Sequence, residues 1–312
     1  MLPKLWESRA IKNASLADYT TFQVGGPARR LIEIHHRSEL IKLAKDMAKE
    51  EIDWQLLGGG SNVLVDDSGY DGLVVVFRSF DDSIWNNEKY LTASAATPLH
   101  DVATYSAFEG LAGMEFAAGI PGTLGGAIWG NAGAFGKQVG DILDSVMLLN
   151  KDGSITAAGP EELDFSYRNS ILRETGQIIL QATFKLDYDD PIECVDRIDD
   201  ILALRMEKHP NLSKLPSAGS FFKNLEPTSK ADRRQAAGAF LEQAGAKQMH
   251  IGGAAVFHKH ANIIVNNGEA SAQDIITLAR KMRQAVLDQF GIELVREVTV
   301  WPEESAIDLP NK

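Results

Sequence analysis

Two glycine-rich segments stand out in this sequence because their backbone groups, with few bulky side chains around them, could bind a ligand directly. GGGSN occupies residues 58–62, directly after an apolar run, and GIPGTLGGAIWGNAGAFG occupies residues 119–136. The second segment has seven glycines in eighteen positions and no lysine, aspartate or glutamate. A glycine loop after a strand is typical of a nucleotide-phosphate site. Each segment taken alone is also consistent with a tight turn or a close helix–strand contact.

The two most familiar phosphate-binding motifs do not fit the first segment. No Lys-Ser/Thr pair follows the glycines, and no G-x-G-x-x-G opens a helix there. Residues 63–65 (VLV) have β character instead. This region therefore predicts a sheet flanked by one helix and not a doubly wound dinucleotide fold.

Metal and thiol chemistry have little support in the sequence. His258 and His260 could share an ion from one strand face, but no third ligand cluster accompanies them, so we expect no metal and a structural role for His260. Cys194 is the single cysteine, which excludes an intrachain disulfide, a thiolate cage and an iron–sulfur cluster. One unpaired cysteine fits a reducing compartment.

The elements around the glycine segments follow from hydrophobic periodicity and capping residues. A β-α-β start is predicted from strands over 31–34 and 54–57 and a helix over 39–50 with Ser38 as N-cap. A strand over 73–77 follows. A second helix is predicted over 98–109, with Thr97 as N-cap and Gly110 as its stop. A hairpin over 146–159, turning at Asp152-Gly153, and a strand over 178–186 complete this half.

The C-terminal part follows a polar, proline-containing stretch at 187–197, which is a predicted domain boundary. Helices are predicted near 199–207 and 231–243, and mixed strand and turn over 254–271. Ser271 caps the last helix and Gly291 stops it. IELVREVTVW at 292–301 predicts a strand in which Glu297 shares a face with Val295 and Thr299.

The size and the charge of the chain limit the classes of function that are open to it. A chain of 312 residues with 44% hydrophobic composition predicts two or three globular domains. Its 31 Lys+Arg and 43 Asp+Glu give a formal charge of −12, which argues against nucleic-acid or membrane partners that need broad basic surfaces. The start lacks an apolar h-region, and no apolar run approaches the roughly 18 residues of a membrane span. We therefore expect a cytoplasmic protein.

An ordered series of motifs resembles the UDP-N-acetylenolpyruvoylglucosamine reductase family, flavoenzymes of bacterial peptidoglycan precursor synthesis. The series comprises TTFQVGGPA (20–28), LLGGGSNVLV (56–65), GMEFAAGIPGTLGGAIWGNAGAFG (113–136), FSYRNS (165–170), PSAGSFFKN (216–224), KHANIIVN (259–266) and LVREV (294–298). A single glycine loop would be weak evidence, but seven motifs in family order are specific. The short connection after PSAGSFFKN resembles the shorter subgroup, which lacks an extra substrate-covering loop.

The resemblance implies an α+β chain with a vanillyl-alcohol-oxidase/PCMH-type FAD-binding fold in two subdomains, then an α/β substrate-binding domain. The boundaries we expect are 1–78 and 79–200 for the FAD-binding subdomains, 201–303 for the substrate-binding domain and 304–312 for a tail. Non-covalent FAD would be held by glycine-loop amides, since glycine permits close approach to pyrophosphate and positive φ. The matching positions are Gly58, Gly59, Gly60, Ser61, Asn62, Gly119, Ile120, Pro121, Gly122, Thr123, Gly125, Gly126, Ala127, Asn131, Ala132 and Gly133.

The activity implied by the resemblance is NADPH-dependent reduction of UDP-N-acetylglucosamine enolpyruvate to UDP-N-acetylmuramate. FAD would carry hydride to the β-carbon while the protein orients the substrate and supplies a proton to the α-carbon. Matched position by position, Ser220 falls on the proton donor, Arg168 on the arginine near the substrate carboxylate and Glu297 on the catalytic glutamate. No obligate protein partner is implied.

Each of these three residues also has an ordinary structural interpretation. Serine is a poor acid, and Ser220 beside Gly219 could serve a turn or a cap. Arg168 could be a surface arginine, although a guanidinium suits bidentate carboxylate binding. Glu297 could pair with a lysine on a neighbouring strand.

Substrate contacts and rival functions remain as hypotheses at this level. Tyr167, Lys208 and Asn224 are candidate substrate-binding residues, with Lys214 as a rival for the lysine role. Another FAD-dependent oxidase or dehydrogenase of the same fold would explain the glycine loops but not the three matched residues. A non-enzymatic flavin-binding protein would keep the loops without the acid.

Overall fold

The computed structural model of the chain describes residues 2–78, 84–227, 234–306 and 308–310. Within these ranges the α-helices are α1 (Lys4–Arg9), α2 (Arg37–Lys49), α3 (Leu99–Phe108), α4 (Leu124–Trp129), α5 (Leu172–Thr175), α6 (Pro191–Lys208), α7 (Ala237–Gln243) and α8 (Ala272–Phe290). None of these helices combines the length and the apolar character needed to cross a membrane.

Short strands make up the sheets. In chain order they are β1 (Ile11–Ser15), β2 (Pro27–Ile34), β3 (Trp54–Leu57), β4 (Val63–Val65), β5 (Tyr70–Phe77), β6 (Ile84–Asn87), β7 (Tyr90–Ser94), β8 (Leu111–Ala112), β9 (Gly133–Ala134), β10 (Lys137–Gln138), β11 (Leu143–Leu149), β12 (Ile155–Ala158), β13 (Ile178–Lys185), β14 (Asp187–Tyr188), β15 (His250–Ile251), β16 (Ala254–Val256), β17 (Ile264–Asn266) and β18 (Thr299–Trp301).

The chain divides into two compact units. Unit 1 comprises Met1–Lys12, Arg30–Gly59 and Gly72–Arg205, and unit 2 comprises Asn13–Arg29, Gly60–Asp71 and Met206–Lys312. The four-part division expected from the sequence, with boundaries near residues 78, 200 and 303, stays a prediction.

Unit 1 holds two larger sheets with their helices and the two-stranded sheets β9-β10 and β8-β14. The first sheet, which belongs mostly to this unit, has the order β1-β2-β5-β3, and β3 runs parallel to β5. Helix α2 buries one face against it through residues that recur at helical spacing, namely Leu40, Leu43, Ala44 and Met47. The second sheet, β12-β11-β13-β7-β6, is antiparallel, and α3 and α4 contribute to its core. The predicted β-α-β start and hairpin over 146–159 are both present.

Unit 2 is organised around α8. Its apolar face, which includes Ile275, Leu278, Met282 and Val286, is buried in one core with Phe221 and Phe222. The three-stranded sheet β15-β16-β17 and the parallel pair of β4 with β18 complete the unit. Ser271 caps α8 by accepting from the Asp274 N–H, and Gly291 ends the helix at φ +66°, as predicted.

Several element predictions were wrong. Helix α2 begins at Arg37 after His36, so Ser38 is already helical and cannot be its N-cap. Helix α3 begins at Leu99, with Pro98 as N-cap. The Thr97 carbonyl instead accepts a hydrogen bond from the N–H of Leu124, the first residue of α4. Thr97 thus links the start of α3 to the start of α4. Gly110 does follow the helix, at φ +64°.

The C-terminal elements also differ from expectation. The stretch at 187–197 forms β14 and the start of α6, which runs unbroken to Lys208. Helix α7 begins at Ala237, and residues 231–233 of the predicted helix lie outside the described residues. Only Thr299–Trp301 forms a strand, so Glu297 does not lie in mid-strand. Among the described residues, 292–298 have no partner strand, and an isolated bridge joins Arg296 to Phe222. Burial still alternates along this segment, with Leu294, Arg296, Val298 and Val300 buried.

Candidate functional site

The two glycine segments approach each other closely in unit 1. A Cβ on Gly59 would lie 2.7 Å from the Gly122 Cα, and a Cβ on Gly58 would lie 2.9 Å from the Thr123 Oγ1. A Cβ is essentially never found within 3.0 Å of a backbone atom, so glycine is required at position 59, whereas at position 58 the Thr123 hydroxyl would have to move. The sequence paired these segments only through the family resemblance, whereas the fold places them side by side.

Backbone amides at this contact are available to a ligand. Within the described residues, the N–H groups of Gly58, Gly59, Gly122 and Thr123 donate no hydrogen bond. Adjacent loop amides without internal acceptors form a donor set that suits phosphate oxygens. The residues present therefore fit the pyrophosphate of a dinucleotide such as FAD.

The loop around Thr123 is fixed by its neighbours in unit 1. The Leu124 N–H donates to the Thr97 carbonyl at 2.8 Å, and the Gly125 N–H donates to the Ala95 carbonyl at 2.8 Å. The Thr123 hydroxyl caps α4 by accepting from the Gly126 N–H at 3.4 Å. The fold therefore holds the loop around Thr123 in place before any ligand binds.

The end of the second glycine segment carries the predicted residues Asn131, Ala132 and Gly133. Asn131 is fully buried, its Nδ2 donates to the Ser166 carbonyl at 2.9 Å and its Oδ1 accepts from the Gly140 N–H at 3.0 Å. Its side chain is thus used inside the protein, and it ties the glycine segment to the loop that carries Arg168.

Arg168 is held against the same segment. Its Nη2 donates to the Gly133 carbonyl at 3.0 Å, and its guanidinium carbon lies 5.4 Å from the Tyr167 ring centroid. The backbone of Arg168 has φ +56°, a left-handed conformation that a branched or bulky residue rarely adopts. The hydrogen bond to Gly133 and this backbone conformation together hold the arginine against the second glycine segment.

Unit 2 contains the end of the first glycine segment. Gly60 has φ +60°, and a Cβ there would lie 2.0 Å from the Tyr19 carbonyl oxygen. Asn62 connects this segment to the C-terminal chain, because its Nδ2 donates to the Glu297 carbonyl at 3.2 Å. Its own carbonyl accepts from the Thr299 N–H at 2.9 Å.

Ser220 lies on a short segment that Asn262 fixes. The Phe221 N–H donates to the Asn262 carbonyl at 2.8 Å, and the Asn262 side chain both accepts from the Phe222 N–H and donates to the Phe222 carbonyl. Phe221 and Phe222 are buried in the core, while Ser220 is half-buried. The segment therefore presents the serine at the edge of a rigid core.

Glu297 is placed next to this segment by the backbone. Its N–H donates to the Phe221 carbonyl at 2.8 Å, and the Lys223 N–H donates to the Val295 carbonyl at 2.8 Å. The structure thus brings the chain at Ser220 and the chain at Glu297 together in unit 2, and both residues are half-buried.

The predicted substrate contacts occupy different environments. Lys208 is exposed at the end of α6, and Lys214 is exposed in the loop that follows. Asn224 is exposed, and its Oδ1 accepts from the Ala237 N–H at the start of α7 at 3.2 Å. Tyr167 adjoins Arg168 in unit 1.

The two histidines of the FHKH stretch differ in environment. His260 accepts the Asn262 N–H at 3.3 Å through Nδ1, and burial lowers the pKa of this imidazole. His258 is exposed. Across the described ranges, no three histidine, cysteine, aspartate or glutamate side chains are grouped to hold a metal ion.

Four residues that matter to this geometry were absent from the sequence predictions or had another role in them. Asn262 lies within the KHANIIVN motif, and an asparagine between apolar residues was an available signal. Arg296, fully buried, lies in the LVREV motif. Thr97 Oγ1 and Arg205 Nε are buried and have no hydrogen-bond partner in the part of the chain that the structure describes. No sequence pattern distinguishes Arg205 from an ordinary helix-surface arginine.

Comparisons with known proteins agree with this geometry. Residues 28–159 match the model of an FAD binding domain, and residues 209–301 match the model of the UDP-N-acetylenolpyruvoylglucosamine reductase C-terminal domain. These matches confirm the predicted combination of an FAD-binding fold with the C-terminal domain of this family.

Curated relatives and a solved structure extend the similarity over nearly the whole chain. The chain is 38% identical to UDP-N-acetylenolpyruvoylglucosamine reductase of Clostridium novyi, over 97% of this chain and 96% of that protein. It is 36% identical to the enzyme of the same name from Caldicellulosiruptor saccharolyticus, over 92% and 90%. The crystal structure of the reductase from Thermus caldophilus is similar at a TM-score of 0.78 and 33% identity, covering 94% of this chain and 99% of that one. The chain therefore belongs to the UDP-N-acetylenolpyruvoylglucosamine reductase family.

Proposed function

We propose that this protein reduces the enolpyruvyl ether of UDP-N-acetylglucosamine to the lactyl ether, giving UDP-N-acetylmuramate for peptidoglycan precursor synthesis. Hydride would come from NADPH. The observation that carries the proposal is the placement of Ser220 and Glu297 on chain segments joined by the Glu297–Phe221 backbone hydrogen bond. We propose that both residues act on the same enolpyruvyl group.

The cofactor would be FAD, bound without a covalent link. The amides of Gly58, Gly59, Gly122 and Thr123 would hold its pyrophosphate, because they have no acceptor among the described residues. When bound, FAD supplies the hydride that the enolpyruvyl β-carbon receives. The remaining tasks fall to the side chains.

Arg168 would bind the substrate carboxylate. As the β-carbon gains hydride, negative charge develops at the α-carbon and spreads into the carboxylate, where a positioned cation stabilises it. A planar guanidinium can donate two parallel hydrogen bonds to a carboxylate. The Gly133 carbonyl and the left-handed backbone at Arg168 would fix the approach of that guanidinium.

Ser220 would give the proton that the α-carbon requires. A hydroxyl is a weak acid, yet a developing carbanion is a strong base, so a short transfer is feasible when the hydroxyl is well placed. We propose that Glu297 acts at the same α-carbon, since its backbone adjoins the segment that carries Ser220. Tyr167, Lys208 and Asn224 would contact the nucleotide-sugar.

A cytoplasmic location is part of the proposal. The single cysteine, Cys194, is buried and free, which suits a reducing compartment. Nucleotide-sugar and NADPH are both polyanionic small molecules, and an overall charge of −12 requires that local groups bind them.

The decisive experiment combines a visible spectrum with an NADPH assay. The purified protein should show flavin absorbance and oxidise NADPH faster when UDP-N-acetylglucosamine enolpyruvate is present. NADPH oxidation that ignores the enolpyruvyl substrate would favour another flavin oxidase or dehydrogenase. A yellow protein that never oxidises NADPH would indicate a flavin-binding protein without this activity, and a colourless protein that takes up no FAD would overturn the proposal.

A further inference from the structure

Arg205 is a largely buried arginine without a polar partner. It lies in the last turns of α6, and its Nε is buried with no hydrogen-bond partner in the part of the chain that the structure describes. Over those same residues it forms no ion pair, and its one ring contact is with Phe135, whose centroid lies 5.9 Å from the guanidinium carbon. Burying an unpaired charge is costly, so such a group normally has a partner.

A second arginine increases this cost. Burial, and after it the positive charge of Arg168, lower the pKa of Arg205. Both residues belong to unit 1. Two guanidinium groups close enough to repel each other are stable when an anion neutralises both.

Arg197, on the same helix, shows how α6 accommodates an arginine that serves structure. Its Nη2 lies 2.9 Å from Glu115 Oε1 and 2.8 Å from Asp189 Oδ2. These carboxylates raise the pKa of Arg197. The helix thus carries one arginine with two carboxylate partners and, two turns later, one with none in the described chain.

The stem of Arg205 runs along the second glycine segment. A Cβ on Gly119 would lie 2.8 Å from the Arg205 Cδ, so a larger residue at this position would displace the arginine side chain. Gly119 also has φ +71°, and its N–H donates to His100 Nδ1 at 3.3 Å. Arg168 is hydrogen-bonded to Gly133 at the other end of the segment. Both cations are therefore anchored on the glycine segment predicted to bind the cofactor.

We propose that Arg205 and Arg168 together form an anion site in unit 1, and that Arg205 is a ligand-binding residue. The site would take a negatively charged oxygen group, and a carboxylate or the electron-rich oxygens of a flavin share that chemistry. Which molecule supplies the group rests on the proposed function, since FAD and the enolpyruvyl substrate both carry suitable oxygens. An arginine with no internal partner can give all its donors to that ligand.

Three variants separate binding from structure. Arg205→Gln removes the charge and keeps polar donors, Arg205→Lys keeps the charge without the planar fork, and Arg197→Gln removes one charge from the same helix as a control. Thermal melting of the FAD-loaded protein checks folding. Arg197→Gln should melt below wild type because Glu115 and Asp189 lose their partner, whereas Arg205→Gln loses no hydrogen bond to the described residues.

Two measurements distinguish the sources of the anion. If FAD supplies it, Arg205→Gln should weaken FAD binding about ten- to a hundredfold, measured from flavin fluorescence on release, and should lower the flavin reduction potential. If the substrate supplies it, FAD binding should be unchanged and KM for UDP-N-acetylglucosamine enolpyruvate should rise by a similar factor. Arg205→Lys should recover part of either loss, and Arg197→Gln should show neither.

One result overturns the inference. If Arg205→Gln matches wild type in FAD affinity, reduction potential and KM, then Arg205 does not bind an anion of either ligand. That outcome differs from failure of the proposed function, in which the wild-type protein itself would take up no FAD or leave the enolpyruvyl substrate unreduced.

Discussion

Glu297 donates its backbone N–H to the carbonyl of Phe221, with 2.8 Å between nitrogen and oxygen. Phe221 directly follows Ser220, so this bond ties the chain at the glutamate to the chain at the serine although 77 positions separate them in sequence. Asn262 holds the serine segment from its other side. Two half-buried polar residues are thereby fixed on a rigid, phenylalanine-rich core.

Ser220→Ala tests the proton donor. NADPH should still reduce the flavin, since that step needs no proton from Ser220, but transfer to the enolpyruvyl substrate should slow by about 10² to 10⁴. Stopped-flow absorbance of the flavin follows the two half-reactions separately. Ser213→Ala is a matched control, because Ser213 is exposed and its hydroxyl donates to the nearby Asn211 side chain. Normal flavin reoxidation in the alanine variant at position 220 would remove the serine from the mechanism.

Gly59→Ala tests the contact between the glycine loops. The added methyl would lie 2.7 Å from the Gly122 Cα, so the loops must separate, at an expected cost of about 1–3 kcal/mol in unfolding free energy. FAD retention through gel filtration should fall as well. Gly130→Ala controls for the loss of a glycine in the second segment, since its added Cβ would lie at an ordinary 3.6 Å from the Gly126 carbonyl oxygen. Equal behaviour of the two variants would show that loop proximity is unimportant.

Arg296→Lys tests how the C-terminal residues are held. Arg296 is fully buried and donates to the carbonyls of Leu309 and Val298 and to the carboxylate of Glu303. A lysine cannot reach three acceptors in those directions, so we expect a loss of about 2–4 kcal/mol in urea unfolding.

The control for Arg296 is Arg280→Lys. Arg280 forms a partly exposed pair with Asp308, and such pairs contribute below about 1 kcal/mol. If both lysine variants lose the same small amount, the three hydrogen bonds of Arg296 do not secure the C-terminal residues. A loss confined to Arg296→Lys, together with faster proteolysis near the C-terminus, would support the expected role.

His260 should make stability depend on pH. Burial is the main cause that lowers the pKa of His260 below its ordinary 6.5; a backbone hydrogen bond and the charge of Glu242 oppose it, and the charges of Lys247 and Lys208 lower the pKa further. The unfolded chain therefore binds a proton at higher pH than the folded chain. The corresponding stability is present above about pH 6.5 and is lost as pH falls through the folded pKa.

The measurement for His260 is thermal melting at several pH values. Wild type should lose melting temperature between pH 7.5 and pH 5, and His260→Gln should show a flatter dependence. The exposed His258 allows His258→Gln as a control with the same loss of an imidazole. An unchanged slope in His260→Gln would assign the pH dependence to other groups.

Local signals in the sequence predicted many elements correctly. Ser271 and Gly291 bound α8 as expected because capping and left-handed termination depend on residues within one turn of the helix end. The predictions of Ser38 and Thr97 as N-caps were wrong because the exact start of a helix also depends on residues outside its first turn. A serine or threonine near a helix start signals capping only approximately, and neighbouring segments decided where α2 and α3 begin.

Extended segments were harder to predict. The alternation at 292–301 predicts which side chains share a face, yet it does not reveal whether a partner strand lies alongside. Only Thr299–Trp301 finds one, in β4, and Glu297 is held by single backbone bonds to the Ser220 segment and Asn62. Whether an extended segment forms a strand depends on a second segment lying alongside it, as well as on its own sequence.

The sequence by itself determined the residue types and motifs that define the family, the glycine segments, and Arg168, Ser220 and Glu297 as the residues to examine. Only the tertiary structure decided that Gly58–Gly59 contacts Gly122–Thr123, that Ser220 adjoins the Glu297 segment, and that the Arg205 Nε is buried near Gly119 without a hydrogen-bond partner in the described chain. The physical reason is that motifs depend on local chemistry, whereas burial, unpaired donors and charge repulsion depend on contacts between residues far apart in the chain.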